Sequence, residues 1–195
     1  MTIISNDQNT ESTTSTADAG VYSTWQIDTD HTAVQFAVKH MMISTVRGGF
    51  RSFTGTITVN EHDVTRSRVE AVIDATTLDT HAADRDAHVR GADFLDVENY
   101  PQITFTSTRV EAAAPDQVRV VGNLTIRGVS REVPLDVELG GRSVTPWGQH
   151  KMGFAATTTI NRKDWGLNWN LALEVGGMML GDDIKISIDG EATPL

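Results

Sequence analysis

Apolar and polar residues alternate along most of the chain after residue 21. In the stretch TAVQFAVKH, Val34, Phe36 and Val38 alternate with small or polar residues. The same pattern recurs in the stretches GTITVN, RVEAVIDA, QITFTST, VRVVGNLTIRG, EVPLDVEL, KMGFAATTTI and DIKISIDG. A period of two residues is typical of strands with one buried face and one solvated face. Eight or more such strands with short turns predict an all-β antiparallel sandwich or barrel.

The predicted turns and edges favour the barrel. In IRGVSRE, Gly128 is expected to form a tight turn between two alternating strands. A sheet with many strands and few edge-protecting features gains from closure, because closure removes its free edges. Small residues interrupt the inward face, and they are Gly55, Gly122, Gly153 and Ala156. They indicate either tight corners or room for a small ligand.

The stretch THAADRDAHVRGADF is the clearest helix, predicted over residues 80–92. Thr80 is expected to cap its N-terminus. On such a helix, His81, Asp84 and His88 share one face at steps of three and four residues. That spacing permits a divalent metal site or acid–base chemistry, although catalytic zinc sites usually take ligands from separate elements.

Two other interpretations of this helix compete with the metal site. In the first, the helix closes one end of the barrel, and Arg85 and Asp86 form local ion pairs. In the second, Arg85 or His88 faces the mouth of the barrel and contacts the head group of a ligand, since arginine suits phosphate and carboxylate.

Composition narrows the classes of function. The net charge of −10, without a basic run, argues against nucleic acid and anionic membrane surfaces as partners. With no cysteine, the chain cannot form disulfides or thiolate metal sites. Residues 1–20 are rich in Ser, Thr, Asn and Asp and are predicted to be a flexible tail before a domain at residues 21–195. A secretory signal and a transmembrane segment are not expected, so the predicted location is the cytoplasm.

Six segments in the same order resemble the YceI-like family of lipocalin-like bacterial proteins, across residues 22–192. They are WQIDTDHTAVQFAVKH, VRGGFRSFTGTI, DTHAADRDAHVRGADFLDVENYPQITFTS, VGNLTIRGVSREVPL, GFAATTTINRKDWGL and DDIKISIDGEA. The resemblance implies an eight-stranded antiparallel barrel with a long apolar cavity and one helix across an end. It also implies binding of polyisoprenoid or other long-chain amphiphilic molecules and no enzymatic activity, and members of the family often work in the periplasm or outside the cell.

The function predicted from the sequence is therefore non-enzymatic binding of a long-chain apolar or amphiphilic molecule in the barrel. We expect no catalytic residues, no metal and no cofactor, and a homodimer is plausible. The residues expected to contact the ligand are Val34, Phe36, Val38, Phe53, Ile57, Phe105, Leu124, Ile126, Met152, Phe154, Trp165, Trp169, Arg85 and His88.

Two alternatives remain open at this stage. One is a metal-dependent enzyme using His81, Asp84 and His88. The other is a barrel filled by its own side chains that serves as a protein-interaction module. The segment DWGLNWNLALEVGGMMLGDD, residues 164–183, bears on the second alternative. It is either the last strands of the barrel with glycine-rich turns or a flexible apolar rim rich in Trp and Met.

Overall fold

The computed structural model of the protein describes residues 20–174 and 176–195. The predicted tail lies outside this part of the chain except for Gly20, so the domain boundary stays a prediction. The strands are β1 (Tyr22–His40), β2 (Ser44–Phe50), β3 (Phe53–Asn60), β4 (Arg68–Asp74), β5 (Leu78–Asp79), β6 (Gln102–Ala114), β7 (Gln117–Ile126), β8 (Val129–Val144), β9 (His150–Asn161) and β10 (Leu180–Pro194). One α-helix, α1 (Ala83–Arg90), and short 3-10 helices at Val64–Arg66, Ala75–Thr77 and Arg162–Trp165 complete the described elements. None of the described helices is long and apolar enough to cross a membrane.

Eight of the strands close into an antiparallel barrel. Their order around the barrel is β1, β3, β4, β6, β7, β8, β9 and β10, and β10 pairs with β1 to complete the ring. β2 and β3 lie one after the other along the same edge of β1, since β2 pairs with its second half and β3 with its first half. The short β5 pairs with β2 outside the ring. The prediction of an eight-stranded antiparallel barrel is confirmed.

The alternation in sequence becomes an inner and an outer face. On β7, the side chains at Val118, Val120, Leu124 and Ile126 are buried within the main apolar cluster. Gly122 shares their register, and a Cβ atom there would lie 2.5 Å from the ring of Phe105. Glycine at this position therefore serves the close approach of a neighbouring ring, which is neither of the two roles predicted for the small residues.

The other three small inward residues fall into two groups. A Cβ atom on Gly55 would lie 2.5 Å from the side chain of Ile27, so this glycine also accommodates a neighbour. Gly153 and Ala156 instead border the interior cavity described below. Two of the small residues thus admit a close neighbour and two border the cavity, and room for a ligand at the latter stays a prediction.

The β7–β8 hairpin matches its prediction. Its turn consists of Arg127 and Gly128, with φ angles of 48° and 72°. Two successive residues with positive φ are typical of the two-residue turn that fits the twist of paired strands, and glycine adopts this conformation readily.

The predicted helix is shorter than expected, and its predicted cap is wrong. α1 begins after Ala82, which makes no side-chain capping bond. Thr80 instead donates its backbone N–H and its hydroxyl to the carboxylate of Asp86, at 2.8 and 2.5 Å. Asp86 is buried, and a buried carboxylate needs such donors. His81, with a φ of 63°, lies outside the helix and does not share its face.

An ion pair joins β1 to β9 where β1 is irregular. The pairing of β1 with β10 shifts between Asp28 and Ala33. There the Asp28 carboxylate accepts hydrogen bonds from the ammonium group of Lys151 and from Nδ1 of His31. The bond from Lys151, with a smaller contribution from His31, lowers the pKa of Asp28 to about 2 against an opposing effect of burial.

This shift predicts a specific loss of stability in acid. A carboxylate with a lowered pKa in the folded state stabilises the fold above about pH 4, and this contribution is lost as the pH falls through the folded-state value of about 2. The shift corresponds to about 2 kcal/mol. Denaturant unfolding at pH 5 and pH 2 should show that Asp28→Asn loses less stability on acidification than the unmodified chain, by about that amount. Asp30→Asn, which removes an exposed carboxylate from the same irregular part of β1, is the control. Equal losses in both variants would contradict the assignment.

Candidate functional site

An apolar cavity of about 740 Å³ occupies the inside of the barrel. Its walls are mostly the aliphatic and aromatic side chains of the inward strand faces. Polar side chains border the cavity near α1, and they are Thr80, Asp84, Arg85, His88, His40 and Arg162. The barrel is therefore not filled by its own side chains, and the interaction module with a filled barrel is ruled out by this volume.

All but one of the residues predicted to contact the ligand border this cavity. They are Val34, Phe36, Val38, Phe53, Ile57, Phe105, Leu124, Ile126, Met152, Phe154, Trp169, Arg85 and His88. For the residues on strands, the placement follows from the period-two pattern, because inward positions of a closed barrel face its axis. Contact with a ligand stays a prediction for each of them.

Trp165 is the exception. This side chain is only 2 % exposed and is not among those that border the cavity. Its indole N–H donates to the backbone carbonyl of Leu124 at 3.1 Å. Trp165 therefore packs in the wall behind the cavity surface, in the 3-10 helix where the strand periodicity no longer applies.

The mouth near α1 has a defined polar arrangement. Arg85 donates from Nε to the hydroxyl of Thr80 and from Nη2 to its carbonyl, both at 2.7 Å. His88 contacts Asp93 through Nε2 at 2.9 Å. Its ring packs edge-on against Trp169, with ring centroids 4.7 Å apart. These contacts hold one guanidinium group and one imidazole ring at the rim of an apolar chamber.

The predicted metal face is not formed. In the part of the chain that the structure describes, one group of three potential ligands has donor atoms within 4.8 Å of one another, and it is Asp28, His31 and Glu191. His81, Asp84 and His88 do not form such a group, because His81 lies before the helix and His88 contacts Asp93. At the group that does form, the ammonium of Lys151 already bonds Asp28 and lies 3.5 Å from Glu191. That arrangement is an ion-pair network.

A buried arginine organises the segment between the 3-10 helix at Arg162–Trp165 and β10. Arg162 is 1 % exposed and donates to the backbone carbonyls of Leu167, Trp169 and Gly181. It also donates to the carboxylate of Asp182 at 3.1 Å. Burial lowers the pKa of the guanidinium group, and the charge of Asp182 opposes this effect. One side chain thus holds Trp169 and the start of β10 at the mouth.

The role of Arg162 was not predicted from the sequence. The available signal was its position in the segment NRKDWG, directly after an alternating strand. The sequence also left the nature of residues 164–183 open. The structure shows that most of this segment lies outside the strands, with an isolated pairing between Ala172 and Met178. Trp169 and Met179 border the cavity, while Leu171 and Met178 are exposed. The described residues between the 3-10 helix and β10 thus place apolar side chains at the rim of the mouth, which agrees with the rim interpretation, while the flexibility of this segment stays a prediction.

Comparisons with known proteins agree with this architecture. The profile of the YceI-like domain matches residues 25–192. A UPF0312 protein of Staphylococcus epidermidis is 38 % identical over 168 residues, which cover 86 % of this chain and 95 % of that protein. Among solved structures, BcnA of Burkholderia cenocepacia superimposes with a TM-score of 0.75 at 22 % identity, over 86 % of this chain and 99 % of that one. A polyisoprenoid-binding domain from Saccharophagus degradans, implicated in plant cell wall breakdown, superimposes with a TM-score of 0.63 at 14 % identity, over 90 % of this chain and all of that one.

The role of Arg162 at the rim leads to a stability prediction. Arg162→Met leaves several buried carbonyls without a donor, and we expect a loss of about 3 kcal/mol in the free energy of unfolding. Amide hydrogen exchange should accelerate most in residues 166–180. Lys163→Met is the matched control, because its exposed ammonium contacts the same Asp182 at 2.8 Å and should contribute less than about 1 kcal/mol. Similar losses from both substitutions would contradict the assignment.

Proposed function

The chain belongs to the YceI-like family, and from this membership and its cavity we propose that it binds a long-chain apolar or amphiphilic molecule inside the barrel. The ligand class we propose is polyisoprenoid-like. The observation that supports it most is the mostly apolar wall of a cavity of about 740 Å³, with one group of polar side chains near α1. A relative of the same fold is described as a polyisoprenoid-binding domain, which agrees with this choice.

Burial of hydrocarbon supplies the affinity in this proposal. Removing apolar surface from water contributes about 25 cal/mol per Å², so a chain that buries a few hundred Å² gains several kcal/mol. The cavity lies within the ~300–1,000 Å³ range of small-molecule sites. The walls belong to strands that are paired around a closed ring, so little ordering of the protein is expected to oppose binding.

The head group of the ligand is placed at the α1 end. There Arg85 and His88 border the cavity together with the indole of Trp169. Arg85 is positioned by Thr80, and a guanidinium held in this way suits a carboxylate or phosphate oxygen. The alkyl part then extends from this polar rim toward Phe154 and Met152, deeper in the barrel.

The proposed role is carriage or sequestration rather than catalysis. The walls offer hydrocarbon contact, and the mouth offers hydrogen bonds that orient a head group. A cytoplasmic location and a homodimer stay predictions from the sequence.

Filling the cavity tests the site without adding charge. Ala156 is buried on the inward face of β9, and Ala156→Phe should occupy space that the ligand needs. Titration with the fluorescent fatty acid cis-parinaric acid should show an affinity at least about tenfold weaker. Thr157→Phe places the same ring on the exposed outer face of β9 and should bind as the unmodified chain does. Equal binding by a folded Ala156→Phe variant would contradict the proposed site.

Head-group recognition has a separate test. Arg85→Met should weaken binding of geranylgeranoic acid about tenfold, because a charge-assisted hydrogen bond is lost. Binding of geranylgeraniol, which has the same chain and no charge, should change less than about twofold. Isothermal titration of both ligands measures the difference. Equal effects on the acid and the alcohol would place the head group elsewhere.

A further inference from the structure

Five exposed apolar side chains form one patch at the α1 end of the barrel. They belong to the turn between β1 and β2 and to the segment before β10, and they are Met41, Met42, Ile43, Leu171 and Met178. Met42 is 76 % and Ile43 82 % exposed. Twelve large apolar side chains are exposed in the described part of the chain, so this patch, called the lip below, holds a large share of them.

The two parts of the lip are joined through the backbone. The N–H of Met41 donates to the carbonyl of Met179 at 2.6 Å, and the N–H of Met179 donates to the carbonyl of Leu171 at 2.8 Å. A Cβ atom on Gly177 would lie 3.8 Å from Cγ of Met42. The lip is therefore one surface and not two separate loops.

The lip directly adjoins the mouth of the cavity. His40, the residue before the turn, borders the cavity, and so do Val46 on β2 and Met179 beside the lip. His40 pairs with Leu180 at the start of β10, which Arg162 holds through Gly181. A molecule that leaves the cavity at this end therefore passes next to the lip.

The conformation of the turn is not explained by local structure. Met41 and Met42 have φ angles of 52° and 64°, in the left-handed region that disfavours residues other than Gly and Asn. The N–H of Ile43 donates to the carbonyl of His40 at 3.2 Å and closes the turn. Asn and Gly are the residues that such turns favour. Two methionines here keep large apolar groups in solvent at a position where they also strain the backbone.

The β1–β2 hairpin of the lip carries no acidic residue, whereas the other part of the lip carries the exposed Glu174 between Leu171 and Met178. The chain has a net charge of −10, yet residues 31–60 contain no Asp or Glu. Lys39 and Arg47, on the two strands that carry the turn, are exposed. On the neighbouring strand, Asp182 is paired with Arg162 and Lys163. Although the whole protein is acidic, this hairpin has no carboxylate of its own that would repel lipid phosphate groups.

We propose that the lip docks on the surface of a phospholipid bilayer and that the ligand passes directly between the bilayer and the cavity. The inference rests on the proposed function. An apolar chain is far more soluble in a bilayer than in water, so direct passage spares the ligand a transfer through water. Exposed Met and Ile side chains enter the interface between head groups and acyl chains, and Lys39 and Arg47 contact the phosphates. The mouth then opens toward the hydrocarbon.

Transfer kinetics test this docking. The protein is loaded with cis-parinaric acid and mixed with increasing amounts of phosphatidylcholine vesicles, and the loss of energy transfer from tryptophan is followed. Docking predicts that the transfer rate rises in proportion to vesicle concentration, because collision is then the limiting step. A rate independent of vesicle concentration would mean release into water and would overturn the proposal.

Two variants distinguish an effect of the lip from the effect of removing any exposed apolar side chain. The double variant Met41→Asn/Met42→Gly removes two of the five lip side chains, among them the 76 % exposed Met42, while relaxing the turn, so it should fold with an equal or higher melting temperature. For this variant, the slope of the transfer rate against vesicle concentration should be about tenfold smaller than for the unmodified chain. Trp147→Ser removes an equally exposed apolar side chain, 84 % exposed in the turn between β8 and β9 at the opposite end of the barrel, and should behave as the unmodified chain.

The outcomes also distinguish this inference from the proposed function. If parinaric acid does not bind in the absence of vesicles, the proposed function fails before the lip is tested. If it binds but both variants transfer as the unmodified chain does, the docking proposal alone is wrong. Sedimentation of the unmodified chain as a dimer and of the double variant as a monomer would also overturn the proposal, since the lip would then be an interface between copies.

Discussion

The pairing of the first strand with the last is the constraint on which the rest of the structure depends. β1 and β10 are joined from Trp25 and Pro194 at one end to His40 and Leu180 at the other. This pairing turns an open sheet into a ring, so that one face of every alternating strand points to the interior of the barrel. The inside is wider than its own side chains fill, and a cavity of about 740 Å³ results. The cavity is thus a consequence of closure and not of a separate motif.

Closure also creates two ends, and the α1 end carries most of the distinctive chemistry. Asp86 ties α1 to Thr80, and Arg85 uses the same threonine as its support. Arg162 holds the rim segment through backbone carbonyls. Arg85 and His88 are exposed where solvent or a head group can reach them, while Asp86 and Arg162 are buried and satisfied by hydrogen bonds within the protein. The arrangement suits a molecule with one long apolar part and one polar end.

The regular part of this fold was predictable from the sequence, because strand periodicity reports directly on which side chain faces inward. Phe36, Phe105 and Phe154 were assigned to the interior on that ground, and the structure places them there. Predictions were wrong where the chain leaves regular structure. His81 lies in a turn with positive φ instead of on the helix, and Trp165 faces the wall because a 3-10 helix does not follow the strand period.

Native mass spectrometry of freshly purified protein, kept free of detergent, tests most directly whether the barrel holds an apolar chain. The expected result is a mass above that of the bare polypeptide, with a polyisoprenoid-like molecule recovered by organic extraction of the denatured protein. The opposite result would be the bare mass, both for the purified protein and after incubation with excess geranylgeraniol. That result would contradict the assignment of the cavity as a binding site.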